Sequence, residues 1–393
     1  MKFASVCVSD PNLDVILDEI GKAMISRLGE SADIALVFSS MHFAKRADGF
    51  ARDLKMAIGA RSMIGCCAEG VIGPDHEVED EPAISVVAAQ LPGVDVQAFS
   101  LPAANVMRLA QDPFHMNKVY APPADTKFMV MMADPFTCPM DGVLRAFNIG
   151  CQGIPIIGGM ASGARQKGDS VLFINDRPIR EGLVGVSFGG AIDVDIIVSQ
   201  GCRPIGPVFE VTDATANIID KLGDRSALEQ IGDLVDSLDE TDRELLNNGL
   251  FLGRAINSKK ETIGRGDFLI RGVIGADSET GAIAIGDVIE TGERVQFHVR
   301  DARTAREDLE MMLSPHALFG EPSGAFLFSC NGRGTHLYDE PDGDISAITS
   351  FFRGLDVAGF FCAGEIGPIG GKNFLHGHTA SLALIRPSGR ARG

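Results

Sequence analysis

Residues 359–368 read GFFCAGEIGP, and residues 65–74 read GCCAEGVIGP. The two stretches share Gly65/Gly359, Gly70/Gly364, Ile72/Ile366, Gly73/Gly367 and Pro74/Pro368, five positions of ten. Each follows, at a similar interval, a compact apolar run: ALVFSS (35–40) in the first case and AFLFSC (325–330) in the second. Short apolar runs bounded by turn residues read as buried strands, and the intervening segments have helical spacing. The unit is therefore strand, helix, glycine turn, strand. A more diverged third copy runs from FMVMMADPF (128–136) through GIPIIGGMASG (153–163) to GLVGVSFGG (182–190). The fold expected is mixed α/β, with two lobes built from duplicated units and mixed sheets flanked by helices.

Working outward, residues 3–8 read as a strand. Asp10 and Pro11 then supply N-cap and first-turn signals for a helix bearing Leu13, Ile16, Leu17, Ile20, Met24 and Leu28. A helix is expected over 43–58 and a strand over AISVVAAQL (83–91). GCRPIGP (201–207) is a Gly/Pro-rich break. It divides the chain into an N-terminal domain, 1–205, and a C-terminal domain, 206–393. DLVDSLDETDRELL (233–246) keeps Ile231, Leu234, Val235 and Leu238 on one side and reads as a solvated amphipathic helix. The alternating segments of 267–301 read as an antiparallel meander, and 302–313 as a helix.

The 393 residues are 45% hydrophobic and 22% charged, enough apolar material for a globular core. A net charge of −18 opposes phosphate backbones and anionic lipid, so neither nucleic acid nor membrane is an expected partner. The N-terminus lacks the apolar length of an export signal, and no apolar run approaches the roughly 18 residues that cross a bilayer. The eight cysteines show no C-x-x-C pair or paired spacing of a disulfide framework or zinc site, and most lie in or beside apolar runs, as free thiols of a reducing compartment do. The expected location is the cytoplasm.

The segment FSCNGRG (328–334) follows a buried strand and turns at its end. Ser329, Cys330, Asn331, Gly332, Arg333 and Gly334 therefore stand where ligands bind in α/β sheets. Arg333 offers a fork to a carboxylate or phosphate; the competing reading is a tight turn whose arginine pairs with a neighbouring acid. Gly364, Glu365 and Gly367 form the second strand-end loop. Glu365 taking an amine while Arg333 takes a carboxylate would suit a zwitterion such as an amino acid; a plain Glu365–Arg333 bridge is the alternative. His376 and His378 share a face if their segment is extended, which suits haem iron or proton transfer, although no third metal ligand is fixed by spacing. Cys330 beside Arg333 is the best placed thiol for a cysteine-dependent enzyme, against which stands a semi-buried structural cysteine. No catalytic constellation emerges.

GCCAEGVIG with EPAISV, IRGVIGADSETGAIAIGDVIETGERVQFHVRD, FSCNGRG, and GFFCAGEIGPIGGKNFLHGHTASLALI occur in the order in which they stand in the FIST family, which the chain resembles over nearly its whole length. The resemblance implies FIST N-terminal and C-terminal domains and an intracellular sensory role in signal transduction. The implied ligand is small, an amino acid or another small polar molecule. In some FIST-like proteins it implies haem and nitric oxide sensing. The family supplies no catalytic residues; only the FSCNGRG and GEIGP positions carry over. With no output domain in view, a separate signalling protein is the expected partner.

Overall fold

The computed structural model describes residues 1–264 and 266–389. The chain opens with β1 (Lys2–Ser9), α1 (Leu13–Leu28), β2 (Ala32–Ser40), α2 (Ala47–Ile58), β3 (Ala60–Ala68), the short hairpin β4 (Gly70–Ile72) and β5 (Glu77–Glu79), and β6 (Ala83–Gln90). It continues with β7 (Val94–Leu101), α3 (Ala103–Gln111), α4 (Met116–Val119), β8 (Thr126–Ala133), α5 (Met140–Gly150), β9 (Ile156–Met160), the hairpin β10 (Leu172–Ile174) and β11 (Arg177–Ile179), β12 (Leu183–Gly190) and β13 (Ile192–Gln200). Next come β14 (Cys202–Thr215), β15 (Ile218–Leu222), β16 (Arg225–Ser226), α6 (Ala227–Ser237), α7 (Glu240–Leu245), β17 (Phe251–Ala255), β18 (Phe268–Ala276), β19 (Ile283–Ile285) and β20 (Arg294–Arg300). The last stretch is α8 (Ala302–Ala317), β21 (Gly324–Cys330), α9 (Gly343–Phe351), β22 (Val357–Cys362), the hairpin β23 (Glu365–Ile369) and β24 (Lys372–His376), and β25 (Thr379–Pro387).

Packing divides these elements into two units, Met1–Ser199 with Leu309–Gly393, and Gln200–Asp308. The first holds three six-stranded sheets, ordered β1-β6-β2-β3-β10-β11, β7-β12-β8-β9-β23-β24 and β13-β25-β21-β22-β4-β5. In each, the third and fourth strands are parallel, namely β2–β3, β8–β9 and β21–β22. The hairpin that follows each fourth strand leaves its own sheet. β4–β5 pairs on β22, β10–β11 on β3, and β23–β24 on β9. Each sheet thus closes with a hairpin that follows a strand of another sheet.

The inner faces of the three sheets meet in one apolar cluster containing Phe38, Phe128, Phe188, Phe326, Phe328 and Phe360. Phe38 stacks on Phe360 at 5.1 Å and meets Phe328 edge-on at 6.1 Å. Fully burying a phenylalanine stabilises by about 1.5–3 kcal/mol, so each of these rings contributes substantially to the cohesion of the unit. Helices cover the outer faces: α1 and α2 on the first sheet, α3 and α5 on the second, and α8 with α9 on the third.

The glycine-rich stretch 65–74, expected as a turn, is strand on both sides of Glu69. Its first glycine serves close approach: a Cβ on Gly65 would lie 1.9 Å from Val37 O on the parallel partner strand. The same holds for Gly158 against Met131 O (1.8 Å) and Gly359 against Leu327 O (1.9 Å). The first helix begins later than Asp10 and Pro11 suggest, because Asn12 is its N-cap and accepts from Asp14 N at 3.1 Å.

The second unit is an antiparallel sheet ordered β14-β20-β17-β18-β19-β15-β16, in which β14 also pairs with β15. The long β14 pairs through Cys202–Glu210 with β20 and through Val211–Thr215 with β15, so the sheet closes on itself and hides its edges. GCRPIGP therefore bends into a strand, with a register shift between Ile205 and Val208. The meander expected over 267–301 differs in one step. β20 pairs with β14 and β17 and not with β19, because Ile289 N bonds Ala216 O and sends the connection across the sheet end. α6 carries a capping box, in which Ser226 and Glu229 satisfy each other's backbone N–H groups.

Candidate functional site

Beyond β21 the chain turns at once, and Arg333 swings inward. Its Nε donates to Asp344 Oδ2 at 2.9 Å and its Nη2 to Asp344 Oδ1 at 2.6 Å and Tyr338 Oη at 2.7 Å. Ser329 Oγ and Tyr338 Oη also donate to Asp344, at 2.6 and 2.8 Å. Arg333 is 1% exposed and Asp344 0%. Burial opposes both charges, but each holds the other ionised: the guanidinium pKa stands above its ordinary value and the Asp344 carboxyl below. Asp344 lies in the first turn of α9, whose N-terminal Asp344 and Ile345 amides donate to Glu77 Oε1 from β5 at 3.1 and 3.0 Å. Arg333 is thus held within the fold, with Nη1 left without a partner, as is Glu77 Oε2.

Glu365 opens β23, opposite Gly159 on β9 and His376 on β24. It is 0% exposed. Oε2 accepts from Thr379 N (3.0 Å) and Oγ1 (2.9 Å), while Oε1 has no hydrogen-bond partner. Burial raises its pKa to about 8, with the Thr379 groups, the Arg333 charge and the Cys330 thiol pulling the other way. Arg333 and Glu365 form no ion pair; the guanidinium is taken by Asp344. Gly364 has φ 158°, and a Cβ on Gly367 would meet Val198 Cγ2 at 2.5 Å and Ser381 Oγ at 2.8 Å. Gly334 is left-handed (φ 55°) and lies over Glu79, which also accepts from Thr335 N at 2.8 Å.

Cys330 and Cys362 are register partners on β21 and β22. Burial pushes both thiols well up, with Glu365 raising each further; the Gly332 and His378 amides and Arg333 only partly offset this at Cys330. Gly332 N lies 3.4 Å from Cys330 Sγ. A protonated buried thiol packs and does not attack. Burial likewise raises Cys66 well above its ordinary value and Cys67 to about 12.

The two histidines do not share an extended face. β24 ends at His376, and His378 turns the chain with φ 61° before β25. His376 is buried, its Nε2 3.0 Å from Gly367 O. That side chain does not fit the role of an axial haem ligand. Among the described residues no group of three or more His, Cys, Asp or Glu side chains is placed to hold a metal ion.

Three residues outside the expected set complete the junction: Glu69, Glu79 and Ser162. Asn331 Nδ2 donates to Glu69 Oε2 at 3.0 Å. Glu69 N donates to Ser162 Oγ at 2.9 Å, and Ser162 Oγ donates to Phe361 O. A narrow cleft of about 10 Å³ lies among Glu69, Glu79, Asp80, Asn331, His336 and Phe361, room for about one water. FSCNGRG therefore meets the first glycine-rich segment, 65–74, as well as approaching the last. Glu69 was in view in GCCAEGVIGP, but nothing local in sequence reveals that β4 pairs on β22.

Three interlocked mixed sheets wrapped by helices, joined to a closed antiparallel unit, define a mixed α/β protein with a polar junction at its strand ends. The FIST N domain matches residues 33–225 and the FIST C domain residues 227–368, and the chain belongs to the FIST family. An uncharacterized protein of Mycobacterium tuberculosis is 36% identical to it over 97% of both chains. A second from that organism is 37% identical over 91% of this chain and 92% of its own. A solved cyanuric acid hydrolase chain covers 99% of this chain and 100% of its own at 12% identity, with a TM-score of 0.32. Among the described residues no helix is long and apolar enough to cross a membrane.

Proposed function

We propose that this protein is a sensory module in signal transduction that binds a small polar ligand, of amino-acid class, at the junction of FSCNGRG, AGEIGP and the Glu69 turn. A change at that junction is passed to a separate signalling protein. The observation that carries the reading is Glu365: a fully buried carboxyl whose Oε1 makes no hydrogen bond of ordinary geometry and whose remaining polar neighbour is the weakly donating Cys330 thiol. Leaving a buried polar group unsatisfied costs about 1–3 kcal/mol, and such groups call for a reason. Packing is not that reason. The first unit is built, in this proposal, from three tandem copies of one strand-helix-strand-hairpin plan, supported by the three matching sheet orders and the three glycines seated over carbonyls. Glu365 stands opposite Gly159, the residue after Gly158; in the same register Val71 stands opposite Phe360 and Leu172 opposite Cys66, so its position is held by Val71 and Leu172 in the other two hairpins. The plan does not require an acid there.

In the structure Asn331 closes on Glu69 and little space remains. Ligand binding therefore opens this contact, and a ligand N–H group replaces the Asn331 amide on Glu69. Only a ligand with different affinity for the two states shifts them. Arg333 positions the loop in this reading and does not take a ligand carboxylate. The cysteine-enzyme and haem alternatives lack a comparable observation, given the raised Cys330 pKa and the engaged His376. A thermal-shift screen over amino acids and organic acids, run on wild type, Glu365→Gln and Asn331→Ala, tests the reading. A compound that stabilises wild type and neither variant supports it; identical responses of all three to every compound overturn it.

A further inference from the structure

We propose that a second, unrelated ligand site lies in the cleft between Arg27, Arg353 and the Pro74–Asp75 turn, and that it takes a small organic monocarboxylate. The cleft is open to solvent, has a volume of about 370 Å³ and is lined by Arg27, Pro74, Asp75, Arg353, Leu355 and Asp356, among others. That volume is within the range of small-molecule sites, whereas the junction cleft holds about one water.

Three separate parts of the first unit build it: the end of α1, the turn between β4 and β5, and the end of α9 with the loop behind it. Arg27 is fixed in place. Its Nη1 donates to Ser5 O at 2.9 Å and its Nη2 lies 2.7 Å from Asp356 Oδ1. Asp356 Oδ1 is fully engaged, since Ser5 N and Oγ also donate to it, at 2.8 and 2.9 Å. Arg353 forms no hydrogen bond or ion pair with the described residues, and the carbonyl end of α9 keeps a cation favourable there. Arg27 and Asp356 offset each other in the cleft wall, which leaves Arg353 as its uncommitted cation, in a chain of net charge −18. An anion is repelled from most of such a surface and drawn to this spot. Arginine matches a carboxylate in a two-pronged fork.

The remaining wall narrows the class. Pro74, beside the buried Leu355, offers apolar surface to an organic body. Asp75 is exposed at the rim, with Oδ1 2.7 Å from His76 Nδ1, and repels a second negative charge. A monocarboxylate with an apolar body satisfies all three walls; a dicarboxylate or phosphate does not.

Isothermal titration of the full chain with phenylacetate, butyrate, succinate and inorganic phosphate tests this. Phenylacetate and butyrate are expected to bind at millimolar concentration, more weakly as sodium chloride rises. Arg353→Gln is exposed and should fold normally, and it should weaken binding by about tenfold or more, the loss of a charge-assisted pair. Asp75→Asn should admit succinate. Absence of heat with both monocarboxylates, or equal affinity in Arg353→Gln, overturns the site; so does phosphate binding as tightly as phenylacetate. Glu365→Gln should leave these titrations unchanged, so that failure of the junction reading and failure of this one are told apart.

Discussion

Asn331 Nδ2 donates to Glu69 Oε2 at 3.0 Å across 262 positions of sequence, and this contact joins the loop beyond β21 to the break between β3 and β4. A hydrogen bond to a charged acceptor contributes about 1.5–3 kcal/mol at most, and less where water reaches it, as here. A double-mutant cycle of Asn331→Ala and Glu69→Ala by urea denaturation should give a coupling near 1 kcal/mol. Additive single effects would mean that the contact is not formed in solution.

Arg333 and Asp344 make the larger prediction. Removing one partner of a buried ion pair leaves the other charged and desolvated, at a loss of about 3–5 kcal/mol. Arg333→Met should unfold at much lower denaturant, and so should Asp344→Leu. The double variant should recover part of the loss, because no lone charge remains. A double variant as unstable as the sum of the singles would show that the cluster is held by something other than this pair.

The place of Arg333 shows where reading the sequence stops. Its alternative as a turn arginine paired with a neighbouring acid was legible. Its partner was not, because Asp344 lies eleven positions on, in a helix whose start depends on Glu77 from β5. The strands at 35–40, 83–91 and 325–330 and the buried thiols were legible because they rest on local apolar runs. The exchange of hairpins among sheets was not: β4, β10 and β23 are short, and what they pair with is decided by tertiary packing. For the same reason GCRPIGP read as a break, although β14 runs through it and is held there by β20, far along the chain.

Glu77 and Glu365 set the pH response. Burial raises each from its ordinary 4.5 to about 8, with the Asp344 charge a further cause at Glu77. Between those values the folded chain keeps protons that the unfolded chain has lost. Stability is therefore full below about 4.5 and falls as pH rises through 8, by up to about 1.4 kcal/mol per unit for each acid. Urea midpoints measured from about pH 5 to 9 should decline for wild type. Glu365→Gln should decline less steeply. A wild-type curve that rises across this interval would refute the assignment of both groups as buried neutral acids.

Thiol reactivity separates a structural cysteine from a nucleophile. All eight cysteines are free, and burial raises Cys330, Cys362 and Cys66 strongly. The thiolate is the reactive form, so native protein near neutral pH should react with iodoacetamide far more slowly than a model thiol at these three positions. Mass spectrometry of native and urea-unfolded samples reads this directly. Rapid native labelling of Cys330 would restore the cysteine-enzyme reading.

The three glycines over carbonyls test the proposed threefold plan. A Cβ on Gly65, Gly158 or Gly359 would stand 1.9, 1.8 or 1.9 Å from a backbone oxygen of the neighbouring parallel strand, which no rotamer change relieves. Gly354, by contrast, has φ 69° with open space around its Cβ, so alanine there meets only backbone strain of about 1 kcal/mol. Each of Gly65→Ala, Gly158→Ala and Gly359→Ala should therefore lose several times more stability than Gly354→Ala, and the three losses should be similar. Similar losses follow if the three sheets use one solution to the same packing problem. If one of the three tolerates alanine as well as Gly354 does, that parallel pair is spaced differently from the others, and the matching strand orders no longer imply a common plan.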